Sequence, residues 1–197
     1  VSQMDAIKEL RARTGAGVLD CQKALKESEG DIQKAVDILR KKGIAKAESK
    51  AGRVAQEGII DAYIHPGSKL GVLLELNCET DFVAMNDEFK NLAHEIAMHI
   101  AATDPVAISR DDVSAELVER EKEIYADQAR QSGKPEQIID KIVQGRLDKF
   151  FQEQCLMEQP FIKDSEKTVK DVIAEFIGKI GENIVITRFK RFKVGEN

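Results

Sequence analysis

The sequence predicts an α+β protein: a three-helix N-terminal module, a basic linker, and a core built from a small antiparallel sheet, helices and a long antiparallel helical hairpin. Three observations predict it. Helix-period apolar stripes run through residues 2–43 and resume after residue 86, strict alternation marks Leu70, Val72, Leu74 and Leu76, and two long helical segments are separated only by Ser132-Gly133-Lys134-Pro135. The chain has 197 residues, 42% of them hydrophobic, which suits one or two globular domains.

Residues 1–43 hold the module. Ser2 is placed to cap a first helix, with Asp5 three residues on and Met4, Ile7 and Leu10 on one face. Gly15-Ala16-Gly17 breaks it. A second helix carries Val18, Cys21, Ala24 and Leu25 and ends at Glu29-Gly30. Asp31 caps a third, whose Ile32, Ala35, Val36 and Leu39 form an amphipathic stripe, with Gly43 as its expected C-terminal cap. Residues 44–56 form the linker. From Arg40 to Arg53 the chain holds six Lys or Arg and a single Glu, which reads as a solvated helical or flexible tether or as a contact to an acidic partner.

Residues 57–197 form the core. Ile59 to His65 is rich in β-branched and aromatic residues and reads as a strand. The turn His65-Pro66-Gly67-Ser68 joins it to the alternating strand from Leu70, making a hairpin. Asn86 or Asp87 caps a helix with a buried stripe of Phe89, Leu92, Ala93, Ile96 and Ile100, stopped at Thr103-Asp104-Pro105. Ser114–Gln131 and Pro135–Met157 make the helical hairpin of residues 114–157, with Pro135 in a first helical turn. Its expected seam sets Leu117, Val118, Ile124 and Tyr125 against Ile138, Ile139, Ile142, Val143, Leu147, Phe150 and Phe151. Gln159 to Ile162 is a short extended piece, and Val169, Val172, Ile173, Phe176 and Ile177 mark one more helix flanked at its end by Gly178 and Gly181. Ile184 to Val194 is a last strand, with Arg188, Lys190, Arg191 and Lys193 protecting a sheet edge.

Several functions are disfavoured at this level. A net charge of −5 argues against direct nucleic-acid binding. No run of about 18 apolar residues spans a membrane, and Val1 to Asp5 carries no secretory signal. Cys21, Cys78 and Cys155 form no CxxC pair, so free thiols in a reducing cytoplasm are expected. His94 and His99, five apart, do not share a helix face, and no metal site is expected. Glu79 and Asp81 read as caps or solvated charges before a helix. Cys78 reads as a thiol ending a buried strand, the rival being a nucleophile paired with a distant histidine. No Gly-rich phosphate loop is encoded, so neither cofactor nor catalytic residue is expected.

Phe82 stands out. Position alone favours a ring folded back into the core, as most aromatics are. The alternative is a wedge for a partner's groove at the exposed turn Thr80-Asp81-Phe82-Val83.

A resemblance decides between them. Asn77-Cys78-Glu79-Thr80-Asp81-Phe82-Val83-Ala84 resembles the core signature of the elongation factor Ts family, guanine-nucleotide exchange factors for elongation factor Tu. Leu10 to Cys21 resembles that family's N-terminal signature, and Lys179-Ile180-Gly181-Glu182-Asn183-Ile184 and the pair Ser132-Gly133-Lys134-Pro135 and Gln144-Gly145-Arg146 are further matches in the same order. The resemblance implies a non-enzymatic, cytoplasmic exchange factor whose ubiquitin-associated-like module docks on the partner's GTPase domain. Arg11, Val18 and Leu19 match contact positions of that module, with Val18 and Leu19 where methionines often stand. Thr80, Asp81, Phe82 and Val83 match the intruding motif, and His65, Ile180 and Gly181 match positions that touch the partner's third domain. Many members carry two related core halves, whereas this chain has one. A homodimer is therefore expected, through the open sheet face and the strand from Ile184 to Val194, with Phe82 from one protomer and His65 or Ile180 from the other. The rival reading is a generic protein-interaction module with a dimerising core.

Overall fold

A computed structural model describes residues 3–196. The order is α1 (Gln3–Thr14), α2 (Val18–Glu27), α3 (Ile32–Lys50), β1 (Glu57–Ile64), β2 (Leu70–Cys78), α4 (Asp81–Met85), α5 (Asp87–Thr103), α6 (Ala115–Gln131), α7 (Glu136–Gln154), β3 (Pro160–Phe161), β4 (Asp164–Thr168), α8 (Val169–Ile180) and β5 (Val185–Lys193). The fold is α+β, with one sheet in the order β1-β2-β5 and a separate antiparallel pair β3-β4. Two compact units divide it: Val1–Asp61, Leu74–His94 and Lys170–Phe189 form the first, and Ala62–Leu73, Glu95–Val169 and Lys190–Asn197 the second.

In the first unit, α1, α2 and α3 close a small core of Ile7, Leu10, Cys21, Ala24, Leu25, Ala35 and Leu39. Asp31 caps α3 by accepting the Lys34 N–H at 3.0 Å. Ser2, the expected cap of α1, lies outside the described residues. Met4 and Val18, assigned from periodicity to the apolar faces, are 61% and 46% exposed.

Gly43 is not a C-cap. Helix α3 runs through it to Lys50, so the first part of the basic linker is helical. The reason is a tertiary close approach: a Cβ on Gly178 of α8 would lie 3.1 Å from the Gly43 Cα, and one on Gly43 would lie 3.8 Å from the Ala174 carbonyl oxygen. Glycine here serves backbone-to-backbone packing between α3 and α8 and not chain termination. The Arg40–Asp171 ion pair at 2.8 Å ties the same two helices. Gly178, expected to flank the end of α8, accordingly lies inside it.

Further buried apolar residues of the first unit follow the alternation of β2 (Leu74, Leu76, Cys78) and the stripes of α5 (Phe89, Leu92, Ala93) and α8 (Ile173, Ala174, Ile177), with Val83, Ala84, Ile184 and Ile186 beside them. Asn86 caps α5 by accepting the Glu88 N–H at 2.8 Å. Strands β2 and β5 are tied by the Arg188–Glu75 ion pair at 2.6 Å and by the Thr187 hydroxyl donating to Asn77 Oδ1.

In the second unit, the turn after β1 closes as read: the His65 N–H donates to the Leu70 carbonyl at 2.8 Å, and Gly67 and Ser68 take φ of 92° and 54°. Helices α6 and α7 pack on one another as the predicted hairpin, but its seam is narrow. Of the residues assigned to it, Ile139 and Leu147 are buried while Ile124 and Ile138 are 37% and 41% exposed. Polar contacts supplement it. Arg146 of α7 reaches Gln128 of α6 and lies 5.7 Å over the Tyr125 ring. Outside the seam, Arg110, ahead of α6, pairs with Glu158 and Asp148 at 2.5 and 3.0 Å. Pro135 is the N-cap residue of α7 and not part of its first turn, and α7 ends at Gln154, short of Met157. The extended piece at Gln159 acquires a partner strand, β4, which its charged sequence Asp164-Ser165-Glu166-Lys167 concealed.

Buried polar groups in the second unit converge on His99, which is fully buried. The Ile162 N–H donates to its Nδ1 at 3.3 Å, so Nε2 carries the proton and donates to Gln159 Oε1 at 2.9 Å. Gln159 Nε2 in turn donates to the Glu153 carbonyl at 2.6 Å. Burial holds the His99 pKa below its ordinary value, opposed by the Gln159 hydrogen bond.

Candidate functional site

The Thr80–Val83 segment is the first turn of a five-residue helix, α4, with Thr80 in the N-cap position. A helix this short has little stability of its own. Its second residue, Phe82, is 79% exposed, the most exposed of the large hydrophobic side chains among the described residues. Asp81 and Met85 are exposed beside it, while Val83 and Ala84 are buried and anchor the turn. The helical period therefore separates the two roles: one face holds the turn down and the other leaves an aromatic ring in water.

The turn is braced from outside its own sequence. The backbone N–H groups of Glu79 and Thr80 donate to Glu182 Oε2 at 3.1 and 3.0 Å, and the Thr80 hydroxyl donates to Glu182 Oε1 at 2.6 Å. In return the Asn183 N–H donates to Glu79 Oε1 at 2.6 Å. The Asn183 side-chain amide donates to the Arg53 carbonyl at 2.8 Å, and Arg53 pairs with Glu79 at 3.4 Å. The Asn183 N–H and then Arg53 hold the Glu79 carboxyl below its usual range. Gly181, at φ 86°, turns the chain out of α8 so that Glu182 and Asn183 face the turn. Two sequence segments a hundred residues apart thus meet as a reciprocal pair, Glu79 with Asn183 and Glu182 with Thr80.

Cys78 sits beneath this brace. Its thiol is fully buried and donates weakly to the Thr80 carbonyl at 3.2 Å. Burial, and then the Glu182 charge, push its pKa up to about 11, so it stays protonated at neutral pH and makes a poor nucleophile. Among the described residues no group of three or more His, Cys, Asp and Glu could hold a metal ion. Among the same residues no helix is long and apolar enough to cross a membrane.

The other predicted positions distribute as follows. Arg11 is exposed near the end of α1, and Val18 and Leu19 open α2 at 46% and 70% exposure. The α1–α2 turn lies against α8, since a Cβ on Gly15 would meet Lys179 Cδ at 3.3 Å, and Lys179 pairs with Glu88 at 2.6 Å. Ile180 and Gly181 are partly exposed at the end of α8. All of these belong to the first unit, as does the Thr80–Val83 turn. His65 belongs to the second, exposed at the hairpin turn with Nδ1 2.9 Å from the Tyr63 hydroxyl. Glu182, Asn183 and Arg53 were not singled out as site residues from sequence. The one available signal was that Glu182 and Asn183 fall inside the matched run from Lys179.

The fold and site together define an α+β chain with an aromatic ring exposed on a braced turn. Its relatives give this class a family. The sequence model described as Elongation factor TS matches residues 21–196. The chain is 60% identical over 191 residues to the elongation factor Ts of Thermoanaerobacter sp. (strain X514), covering 97% of this chain and 94% of that one. It is 58% identical over 195 residues to the elongation factor Ts of Carboxydothermus hydrogenoformans, covering 99% and 89%. A third relative, the elongation factor Ts of Thermosipho melanesiensis, is 58% identical over 190 residues, covering 96% and 97%. The chain belongs to the elongation factor Ts family of translation elongation factors.

Proposed function

We propose that this chain is the cytoplasmic guanine-nucleotide exchange factor of elongation factor Tu, and that Phe82 is the wedge through which it acts. The observation that carries the reading is the 79% exposure of Phe82 on a turn fixed by Glu182. Burying such a ring in a partner supplies about 2–3 kcal/mol. A turn whose backbone is already fixed pays less ordering entropy on binding. In this reading Phe82 enters the partner's GTPase domain near its nucleotide site, Asp81 adds a directional polar contact, and Thr80 and Val83 fix the turn behind them. Arg11, Val18 and Leu19 dock the N-terminal module, residues 1–43, on the same GTPase domain. His65, Ile180 and Gly181 meet the third domain.

Such a factor needs no catalytic acid, base, metal or cofactor. It binds the nucleotide-free partner more tightly than the GDP-bound one, and GDP weakens the factor's binding by the same ratio. Direct nucleic-acid contact is not part of the proposal. A homodimer is. A groove of ≈ 770 Å³ in the second unit is lined by Ile64, Leu73, Phe192 and Val194, which are 62%, 48%, 58% and 72% exposed, and a second copy would cover it.

The test is release of a fluorescent GDP from elongation factor Tu on addition of this chain. Release accelerates in proportion to the factor added, and excess GDP dissociates the factor from its partner. No acceleration at a saturating concentration overturns the reading.

A further inference from the structure

We infer that Glu182 is a positioning residue for exchange: its carboxylate locks the backbone of Glu79 and Thr80 so that Phe82 is presented in one orientation. The inference deepens the exchange reading and rests on it.

The geometry is specific. One carboxylate oxygen, Oε2, accepts two successive backbone N–H groups, at 3.1 and 3.0 Å, and the other accepts the Thr80 hydroxyl at 2.6 Å. Hydrogen bonds to an ionised acceptor are stronger than neutral ones. They fall on the N-cap residue of α4 and the residue before it, at the point where β2 has ended and the helix begins. Thr80 makes no side-chain cap of its own for α4, because its hydroxyl is turned to Glu182. The short helix therefore takes its direction from a residue on the far side of the unit's sequence. Phe82 follows Thr80 by two residues, and its ring touches little of its own protein at 79% exposure. The position of its Cα is set by the turn beneath it.

Two neighbours support the assignment. Gly181 holds φ 86°, a conformation that side-chain-bearing residues adopt at a cost, so the backbone is bent to deliver Glu182. The Asn183 N–H donates to Glu79 Oε1 at 2.6 Å, a second link between the same two segments. The carboxylate is set at a defined position on both sides of the contact.

The experiment is a double-mutant cycle on GDP release from elongation factor Tu, with the wild-type chain, Glu182→Ala, Phe82→Ala and the double variant, together with Glu182→Gln. Amide hydrogen exchange of each free protein is read by NMR. Glu182→Ala is expected to slow release at saturating factor about tenfold when Phe82 is present and less than about twofold when Phe82 is already Ala, because the carboxylate acts through the ring. Glu182→Gln, which keeps an acceptor for the two N–H groups, recovers part of the rate. In free Glu182→Ala, exchange speeds up at the Glu79 and Thr80 amides while α1 and α7 amides are unchanged. Equal losses in both Phe82 backgrounds, or unchanged protection at Glu79 and Thr80, overturn the positioning role while leaving the exchange reading intact. A wild type that fails to accelerate release overturns both.

Discussion

At the scale of single residues, Phe82 and His99 stand opposite, one ring 79% exposed and the other fully buried. Phe82→Ala removes a ring that touches little of its own protein. It is expected to change stability by less than about 0.5 kcal/mol, read as an unchanged melting temperature. His99 is buried neutral, and its folded-state pKa lies below the ordinary 6.5. The unfolded chain takes up the proton first, so stability is full above about pH 6.5, falls as the pH drops through that value, and keeps falling until the folded-state pKa is reached. Protonation also removes the acceptor for the Ile162 N–H. Urea unfolding midpoints between about pH 7.5 and 5.5 should decline in the wild type and flatten in His99→Gln. A wild-type midpoint independent of pH over that range contradicts the assignment.

At the scale of elements, two glycines in helices make opposite predictions. A Cβ added to Gly178 would lie 3.1 Å from the Gly43 Cα, whereas one on Gly145 of α7 meets nothing within 4 Å. Gly178→Val is expected to destabilise by about 1–3 kcal/mol through overpacking of α3 on α8. Gly145→Ala is expected to stabilise by roughly 0.5–1 kcal/mol, since an exposed helix interior favours Ala. Chemical denaturation of both variants checks the pair. The same glycines show where the sequence could be read and where it could not. Periodicity and turn chemistry located the three N-terminal helices, the β1–β2 hairpin, the buried stripe of α5 and the pairing of α6 with α7. All of these rest on local signals. Gly43 was legible only as a possible terminator, because its actual partner is a hundred and more residues away on α8. Strand β4 was missed because its charged run carries no alternation, and it exists by pairing with β3. Helix α4 is too short to show a period.

At the scale of the whole molecule, the candidate site was legible as a motif but not as a mechanism. Thr80 to Val83 and Lys179 to Ile184 stand apart in sequence and carry no local sign that they touch. Their meeting through Glu182 and Asn183 is a product of the fold. The burial of Val83 against the exposure of Phe82 likewise needed α4 to be helical. The chain has a mass of 21.9 kDa, so the homodimer proposed above should scatter light as about twice that at micromolar concentration. A monomeric mass there would remove the dimer and leave the wedge untouched. Whether Phe82 on its braced turn drives nucleotide release is decided by fluorescent GDP release from elongation factor Tu with wild type and Phe82→Ala side by side. Phe82→Ala, with an unchanged melting temperature, is expected to lose most of the acceleration, on the order of tenfold or more for about 2 kcal/mol of lost ring burial. Release that is as fast with Phe82→Ala as with the wild type would contradict it.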